Sequence, residues 1–224
     1  MTAAPSTAPA ALLEQVTEEL YARHTANAAD AALARREYEE RRGKVHQDDE
    51  LWEAWSAAFV EWFVVERTAP GAAVPPAAIT YRELAKDDPK RAAIAALVTS
   101  QRSLYEIRRL DRSGGGALLL DLLGGAEVHV DEQRALHGVE VGDVAELRLV
   151  GLGGQVRFGR TFIYHPKAAR GAIVERARTV LGKGGTRRDV IDLIAQLRVQ
   201  VTRYRHMEPA RVYEVGARLA GLGS

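Results

Sequence analysis

Cysteine is absent from all 224 residues of the sequence. This absence excludes disulfide bonds, thiolate catalysis and zinc sites with cysteine ligands, and it is consistent with a reducing compartment. The segment MTAAPSTAPAALLEQ lacks the basic start and the apolar run that are typical of a signal peptide. No apolar run approaches the roughly 18 residues that a membrane-spanning helix needs. The sequence therefore predicts a cytoplasmic protein without a membrane partner.

The chain also lacks the motifs of the common catalytic and metal sites. It contains no G-x-S-x-G, no H-E-x-x-H and no pair of histidines four residues apart. His129 and His137 are the nearest pair, and a solvated histidine is the favoured interpretation over a metal site. The segment LGKGGTRRD (181–189) can hold an anion at a helix N-terminus, but a helix connection capped by Thr186 is the favoured interpretation. The sequence predicts no catalytic residue, no bound metal and no cofactor.

Charge is distributed unevenly along a chain whose formal net charge is only +1. Residues 1–159 carry 18 Lys and Arg against 25 Asp and Glu, whereas residues 160–224 carry 13 against 5. A basic segment of this kind can meet an acidic partner. The favoured interpretation is that the acidic and basic parts complement each other within one fold or one oligomer.

Helical patterns fill the first part of the chain. Residues 1–10 predict a disordered tail, because they cannot bury enough apolar surface to offset the entropy of ordering. Residues 11–101 predict a helical region, and its first helix should run from about 11 to 43 and stop at Gly43. The next helix should be capped by Asp48.

That next helix carries an aromatic stripe. Its large apolar residues recur at spacings of three and four, which places them on one helical face. They are Leu51, Trp55, Phe59, Trp62 and Phe63. Such a stripe can bind a ligand or stack on bases, but at helical spacing it is more often part of the core.

Two short helices should follow. Thr80 with Glu83 reads as a capping box, and Asp88 followed by Pro89 reads as the cap and first position of another helix. The periodicity then changes from 3.6 to 2 over residues 102–165, where glycine-rich turns separate about five short strands. This pattern predicts a small antiparallel β-meander or barrel-like module, and an α+β fold class for the whole chain.

Residues 166–224 predict a basic C-terminal helical region. One helix should stop at Gly182, the next should be capped by Thr186, and the last should start at Pro209. In the middle helix a heptad seam must be buried against another helix, in this chain or in a second copy. The seam consists of Val190, Ile194, Leu197, Val201 and Tyr204.

Arginines accompany this seam. At 100° per residue, Arg187, Arg198 and Arg205 lie within about 20° of one another on one flank. Together with Arg188 and Arg203 they are the candidate binding residues, either at the rim of a protein contact or on phosphates. Protein contact is the favoured interpretation, since no aromatic residues interleave with the basic ones.

The middle of the chain resembles the β-rich domain of a group of prokaryotic proteins associated with the SEC-C motif. Four segments carry this resemblance, in the expected order and over about half of the chain. They are WSAAFVEWFVVER (55–67), SQRSLYEIRRL (100–110), LLLDLLGGAEVHVDE (118–132) and GVEVGDVAELRLVGLGG (138–154). The zinc knuckle that often accompanies this domain is absent here, because the chain has no cysteine. The resemblance therefore implies a fold and no particular activity.

Taken together, these features predict a non-enzymatic, cytoplasmic bacterial adaptor or regulatory protein that acts through protein–protein contacts and self-associates. The alternative is a nucleic-acid-binding regulator that uses the basic C-terminal third. An enzyme is the least favoured interpretation, because no catalytic constellation is visible in the sequence.

Overall fold

A computed structural model of the chain describes residues 9–111, 116–131 and 138–219. Within these residues, five α-helices come first, five strands follow and three α-helices come last. The first helices are α1 Pro9–His24, α2 Ala28–Arg42, α3 Trp52–Val65, α4 Pro76–Glu83 and α5 Arg91–Val98. The strands are β1 Gln101–Asp111, β2 Gly116–Asp121, β3 Glu127–Asp131, β4 Val144–Leu152 and β5 Gln155–His165. The last helices are α6 Arg170–Gly182, α7 Arg187–Arg203 and α8 Pro209–Leu219, with a 3₁₀ turn Lys167–Ala169 before α6. This order confirms the predicted α+β fold.

Three sequence-based expectations concern residues outside the described ranges, in whole or in part. They are the tail over residues 1–8, the glycine turn at 114–115 and the position of His137. No helix in the described ranges is both long and apolar enough to span a membrane.

The first helical segment is two helices, so the expectation of one helix over about 11–43 was wrong. The chain breaks because Asn27 is an N-cap: its side-chain oxygen accepts hydrogen bonds from the backbone nitrogens of Ala29 and Asp30, at 3.0 and 3.3 Å. Asparagine stabilises a helix start in this way, since the first helical N–H groups have no partner within the helix. Gly43 ends α2 with φ of 92°, as predicted.

Three predicted helix starts were also wrong. Helix α3 begins after Leu51, and Asp49 rather than Asp48 accepts a hydrogen bond from a backbone nitrogen, that of His46. Thr80 lies inside α4, because that helix already begins at Pro76, where the fixed φ of proline suits the first helical position. Asp88 accepts from the nitrogen of Lys90 in a local turn, and α5 begins only after that turn.

The aromatic stripe of α3 is core, as predicted. Trp55, Phe59, Trp62 and Phe63 are each no more than 2% exposed. Their rings pack edge-on or tilted against Tyr38 of α2 and against one another. The stripe therefore joins α3 to the N-terminal helices and is not a surface for a ligand.

The five strands form one antiparallel sheet in the order β3-β2-β1-β4-β5. The two edge strands of the sheet, β3 and β5, contact each other, so the sheet curls into a partly closed barrel. Register shifts at Ile107/Arg109 and Leu147/Leu149 help this curvature. The inside of the curl is apolar. It contains Tyr105, Ile107, Ala117, Leu119, Val130, Ala145, Leu147, Leu149 and Phe158.

Glycine turns set the strand ends. Gly142, immediately before Asp143, has φ of 86° ahead of β4, which is the predicted tight turn. Gly153 and Gly154 join β4 to β5 with φ of 64° and 78°. Positive φ favours glycine because it has no Cβ to clash.

Helices cover the outer face of the curled sheet. Helix α3 packs on β5, α5 on β4, and α7 on β1 and on α2. A capping box at Thr186 begins α7, as predicted: Thr186 and Asp189 exchange hydrogen bonds between side chain and backbone. Helix α6 ends at Gly182 and α8 begins at Pro209, also as predicted.

The predicted seam of α7 is buried within this chain. Val190, Ile194 and Leu197 are no more than 2% exposed, and they pack against α6, α8 and the sheet. Val201 and Tyr204, at the far end, are half-buried. The seam therefore does not need a second copy of the chain to cover it.

Candidate functional site

Charged side chains fill the space between the outer face of the sheet and the helices above it. We call this set the buried ionic network. It consists of Arg42, Glu61, Glu66, Arg102, Glu146, Arg148 and Asp192. Helices α2, α3 and α7 and strands β1 and β4 each contribute at least one member, or the residue just after their end.

Arg42 stands at the centre of the network. Its guanidinium bonds both carboxylate oxygens of Glu146 and reaches Asp192 at 3.1 Å. Burial would lower the pKa of Arg42, but the surrounding carboxylates, Glu146 first, more than reverse this and raise its pKa. Burial would raise the pKa of Glu146, but Arg42 and Arg102 outweigh burial and lower it. Both groups are therefore charged.

Glu66, just beyond the end of α3, lies between two arginines. Its carboxylate accepts from Nη2 of Arg102 at 2.7 Å and from Nη2 of Arg148. Burial opposes its ionisation, but Arg102, Arg148 and Arg188 together lower the pKa of Glu66 to about 2. The carboxylate is therefore ionised at neutral pH and holds the two guanidinium groups in place.

Glu61 occupies a different environment within the same network. Its side chain is 7% exposed, and it accepts a hydrogen bond from the backbone nitrogen of Arg160 at 2.6 Å. The nearest nitrogen of Arg148 is 3.9 Å away, so the ion pair is long. Burial raises the pKa of Glu61 against the opposing effect of Arg148. Glu61 is therefore protonated more readily than an exposed glutamate.

An open cleft of about 290 Å³ exposes one end of the network. We call it the arginine cleft. Its charged lining residues are Glu66, Arg102, Arg148, Arg187 and Arg188. Gln101 and Ser100 at the start of β1 and Val98 at the end of α5 complete one wall. The cleft therefore presents four guanidinium groups and one carboxylate.

Two of the predicted arginines are committed to contacts within the chain. Arg187 donates to Asp121 at 2.5 Å and to Ser103 at 2.8 Å. Arg198 is 14% exposed; it donates to the backbone oxygen of Tyr164 at 2.7 Å and pairs with Glu50 at 3.1 Å. Both side chains therefore tie α7 to its neighbours.

Arg188 differs from them. Its side chain forms no hydrogen bond or ion pair with any residue that the structure describes, and its Nε is buried without a partner. Burial lowers the pKa of Arg188, and Glu66 and Asp192 only partly oppose this effect. Of the five predicted arginines, Arg188 is the one in the cleft that lacks an acceptor.

Arg203 and Arg205 lie on the surface at the other end of α7. Nη2 of Arg203 donates to the backbone oxygen of Lys44 at 2.9 Å, and Nε of Arg205 to that of Thr202 at 3.2 Å. The expectation that Arg205 continues the row of Arg187 and Arg198 was wrong, because α7 ends at Arg203.

One further exposed cation, Lys44 just after α2, lies beside this part of α7, since its backbone oxygen accepts from Arg203. We call Lys44, Arg203 and Arg205 the basic patch. None of the three forms an ion pair within the described part of the chain, whereas most buried arginines do. The basic patch is therefore available to a partner.

Of the two histidines considered as a metal site, the structure describes only His129. His129 lies on β3 with an exposed side chain, 3.8 Å from a carboxylate oxygen of Asp131, and His137 lies outside the described ranges. Within those ranges, no group of three or more metal-binding side chains is arranged to hold an ion.

Sequence reasoning missed the buried ionic network. Glu146 and Arg148 alternate with apolar residues on β4, a pattern that normally marks a solvated sheet face. Only the helices that cover this face turn the pattern into a buried one. The number of predicted helices could have indicated this burial. Helices must bury their apolar faces against another layer, and the sheet is the available layer.

Comparisons with known proteins give one match. A family model described as a family of unknown function (DUF7986) matches residues 10–190. The matched range spans α1 to the first turn of α7 and contains the charged residues of the arginine cleft, but it stops before Arg203 and Arg205. No curated protein and no solved structure matches the chain. The resemblance to proteins associated with the SEC-C motif stays a prediction.

Proposed function

We propose that this chain, which belongs to the DUF7986 family of unknown function, is a non-enzymatic adaptor or regulatory protein. It binds an acidic protein surface through the basic patch. The observation that carries this proposal is the lack of ion pairs on Lys44, Arg203 and Arg205 within the described part of the chain. Exposed charges of this kind select partners and speed association more than they add affinity.

Charge across the molecule favours protein over nucleic acid as the partner. Residues 1–159 carry an excess of acidic side chains, so the basic patch is local and the formal net charge is only +1. A polyanion such as DNA meets the repulsion of the acidic part over distances comparable to the Debye length. A folded protein with a small acidic surface meets only the patch.

Self-association has less support than binding of a different protein. The α7 seam that suggested a second copy is covered by this chain's own α6, α8 and sheet. Dimer formation through the basic patch itself would bring like charges together. The partner is therefore a different protein with complementary charge.

The second candidate is a nucleic-acid-binding regulator, and one observation favours it. Tyr204 and His206 lie beside the patch arginines, with ring centroids 6.2 Å apart. Aromatic rings between cations can stack on unpaired bases. Tyr204 is half-buried, so this stacking surface is small.

Affinity capture from native lysate tests both candidates. The baits are the wild-type chain and the double variant Arg203→Glu/Arg205→Glu. Each bait is used with and without nuclease treatment of the lysate. Arg178→Glu is the matched control, because Arg178 is 75% exposed on α6, away from the patch. We expect a protein partner that survives nuclease, is lost with the double variant and is retained with the control.

The opposite result is equally clear. Nucleic acid in the eluate, with binding that weakens steeply as salt is added and disappears in the double variant, supports the second candidate instead. Capture that is equal for wild type and double variant contradicts both candidates.

A further inference from the structure

The arginine cleft lies at the other end of α7 from the basic patch. The residues after α3, the first residues of β1 and the first turn of α7 form its walls, with Glu66, Arg102 and Arg188 among the lining side chains. These are three separate elements of a packed fold. The fold therefore brings these side chains together before any ligand arrives.

Three arginines that line this cleft each have one buried donor atom without an acceptor. The Nε atoms of Arg102, Arg148 and Arg188 are buried without a hydrogen-bond partner in the described chain. The side chains of Arg102 and Arg148 are only 8% and 1% exposed. A buried donor without a partner is destabilising, and a bound ion or water is one explanation for such a group in a native structure.

The helix start adds to this set. Helix α7 is 17 residues long, and its capping box occupies the backbone nitrogen of Asp189. The nitrogens of Arg187 and Arg188 precede it at the first two helical positions, where no acceptor exists within the helix. The positive end of the helix dipole therefore lies beside the guanidinium groups.

The other charged residues that line the cleft are already paired. Glu66 bridges Arg102 and Arg148, and Asp121 holds Arg187. Arg188 alone among the lining arginines has no carboxylate within ion-pair distance in the described chain. An anion in the cleft would therefore meet Arg188 as a free cation.

We propose that the arginine cleft binds the phosphoryl group of a small molecule, with Arg188 as its principal ligand. The tetrahedral group has three or four oxygens, which can face Arg188 and the start of α7 together, whereas a planar carboxylate offers two. Arginine suits this role because its planar fork donates two hydrogen bonds to adjacent oxygens. A volume of about 290 Å³ accommodates inorganic phosphate or a small phosphate monoester.

Titration calorimetry and amide NMR on the full chain test this assignment. The probes are inorganic phosphate and glycerol phosphate, with acetate and chloride at matched ionic strength as controls. We expect phosphate or its ester to bind and to shift the amide signals of Arg187 and Arg188, and acetate and chloride to leave them unchanged. The stronger of the two phosphoryl probes identifies the source of the group.

Three variants locate the binding. Arg188→Gln should weaken binding of the phosphoryl probe at least about tenfold, as expected for loss of a charge-assisted hydrogen bond. Arg188→Lys keeps the charge without the fork and should lose less. Arg203→Gln, in the basic patch, should bind like the wild type.

Two results would overturn the assignment. One is the absence of any phosphate-induced shift at Arg187 and Arg188 in the wild type, a measurement that does not depend on whether a variant folds. The other is binding of acetate as tight as that of phosphate. Neither result affects the proposed protein partner, because Arg203→Glu/Arg205→Glu tests that surface and leaves the cleft intact.

Discussion

Nη2 of Arg42 donates hydrogen bonds to both carboxylate oxygens of Glu146, at 2.8 and 2.7 Å, and the two side chains are 0% and 2% exposed. The pair joins the end of α2 to the middle of β4. Asp192 of α7 reaches the same guanidinium. One arginine therefore fixes an N-terminal helix and a C-terminal helix to the same strand.

Replacement of Arg42 by methionine should destabilise the fold strongly. Met fills a similar volume but leaves Glu146 buried with less compensating charge, and removing one partner of a buried pair typically costs about 3–5 kcal/mol. Chemical denaturation in urea measures the loss. The matched control is Arg23→Met, which breaks the exposed pair with Glu83 and should cost less than about 1 kcal/mol. Equal losses would mean that the buried network stabilises no more than a surface pair.

The aromatic stripe of α3 gives a second stability prediction. Phe59 is 2% exposed and contacts the rings of Tyr21 and Tyr38, so Phe59→Ala should lower the free energy of unfolding by about 3–5 kcal/mol. Val141, at 57% exposure, provides the comparison, and Val141→Ala should change stability by no more than about 0.5 kcal/mol. A melting temperature that Phe59→Ala leaves unchanged would contradict the assignment of the stripe to the core.

The periodicity of apolar residues predicted well which segments are helices and which are strands. It did not predict which other elements pack against each helix or sheet face. The aromatic spacing in α3 and the alternation in β4 both depend on local geometry, so they are legible in the sequence. The break at Asn27 was missed because the apolar stripe fades into alanines over residues 26–34, so a change of helical face cannot be detected there. Arg42 was missed because a charged residue at a helix end normally interacts with the dipole and solvent. Its burial depends on β4 and α7, which come more than a hundred residues later.

The fate of the predicted arginines follows the same logic. Helical arithmetic placed Arg187 and Arg198 on one flank, and both do face neighbouring elements. Whether a flank residue meets Asp121, a backbone oxygen or an empty cleft depends on tertiary packing. Arg188 differs from the other arginines only in its tertiary environment, a cleft without a carboxylate partner for it among the described residues. The spacing of residues along the sequence does not predict that environment.

His165 should make the protein sensitive to mild acid. Burial lowers the pKa of its ring to about 3, and Glu146 opposes this only in part. In the unfolded chain a histidine titrates near 6.5. The unfolded state therefore binds more protons between about pH 6.5 and 3, and the free energy of unfolding falls as the pH drops through this window, by up to about 1.4 kcal/mol per pH unit.

Urea denaturation at a series of pH values between 6.5 and 5 measures this effect, in a range above the usual pKa values of carboxyl groups. His165→Gln should reduce the pH dependence, because the titrating group is gone. Tyr213→Phe removes the hydroxyl that lies 2.8 Å from Nδ1 of His165 but leaves the histidine ring buried. The free energy of unfolding of this variant should therefore depend on pH as that of the wild type does. An undiminished slope in His165→Gln would show that another group causes it.

Gly216 should be intolerant of even one added methyl group. It lies on α8 where that helix packs on α7, and a Cβ at this position would overlap Cδ2 of Leu197. Leu197 is 2% exposed among other core side chains, so it cannot move aside freely. Gly216→Ala should therefore destabilise the fold by about 1–3 kcal/mol, although alanine is the better helix former. Gly171 on α6 is the matched control, since a Cβ there meets no atom within 4 Å, and Gly171→Ala should be neutral or stabilising by up to about 1 kcal/mol. If both variants stabilise the protein in urea, α8 is not packed on Leu197 in solution.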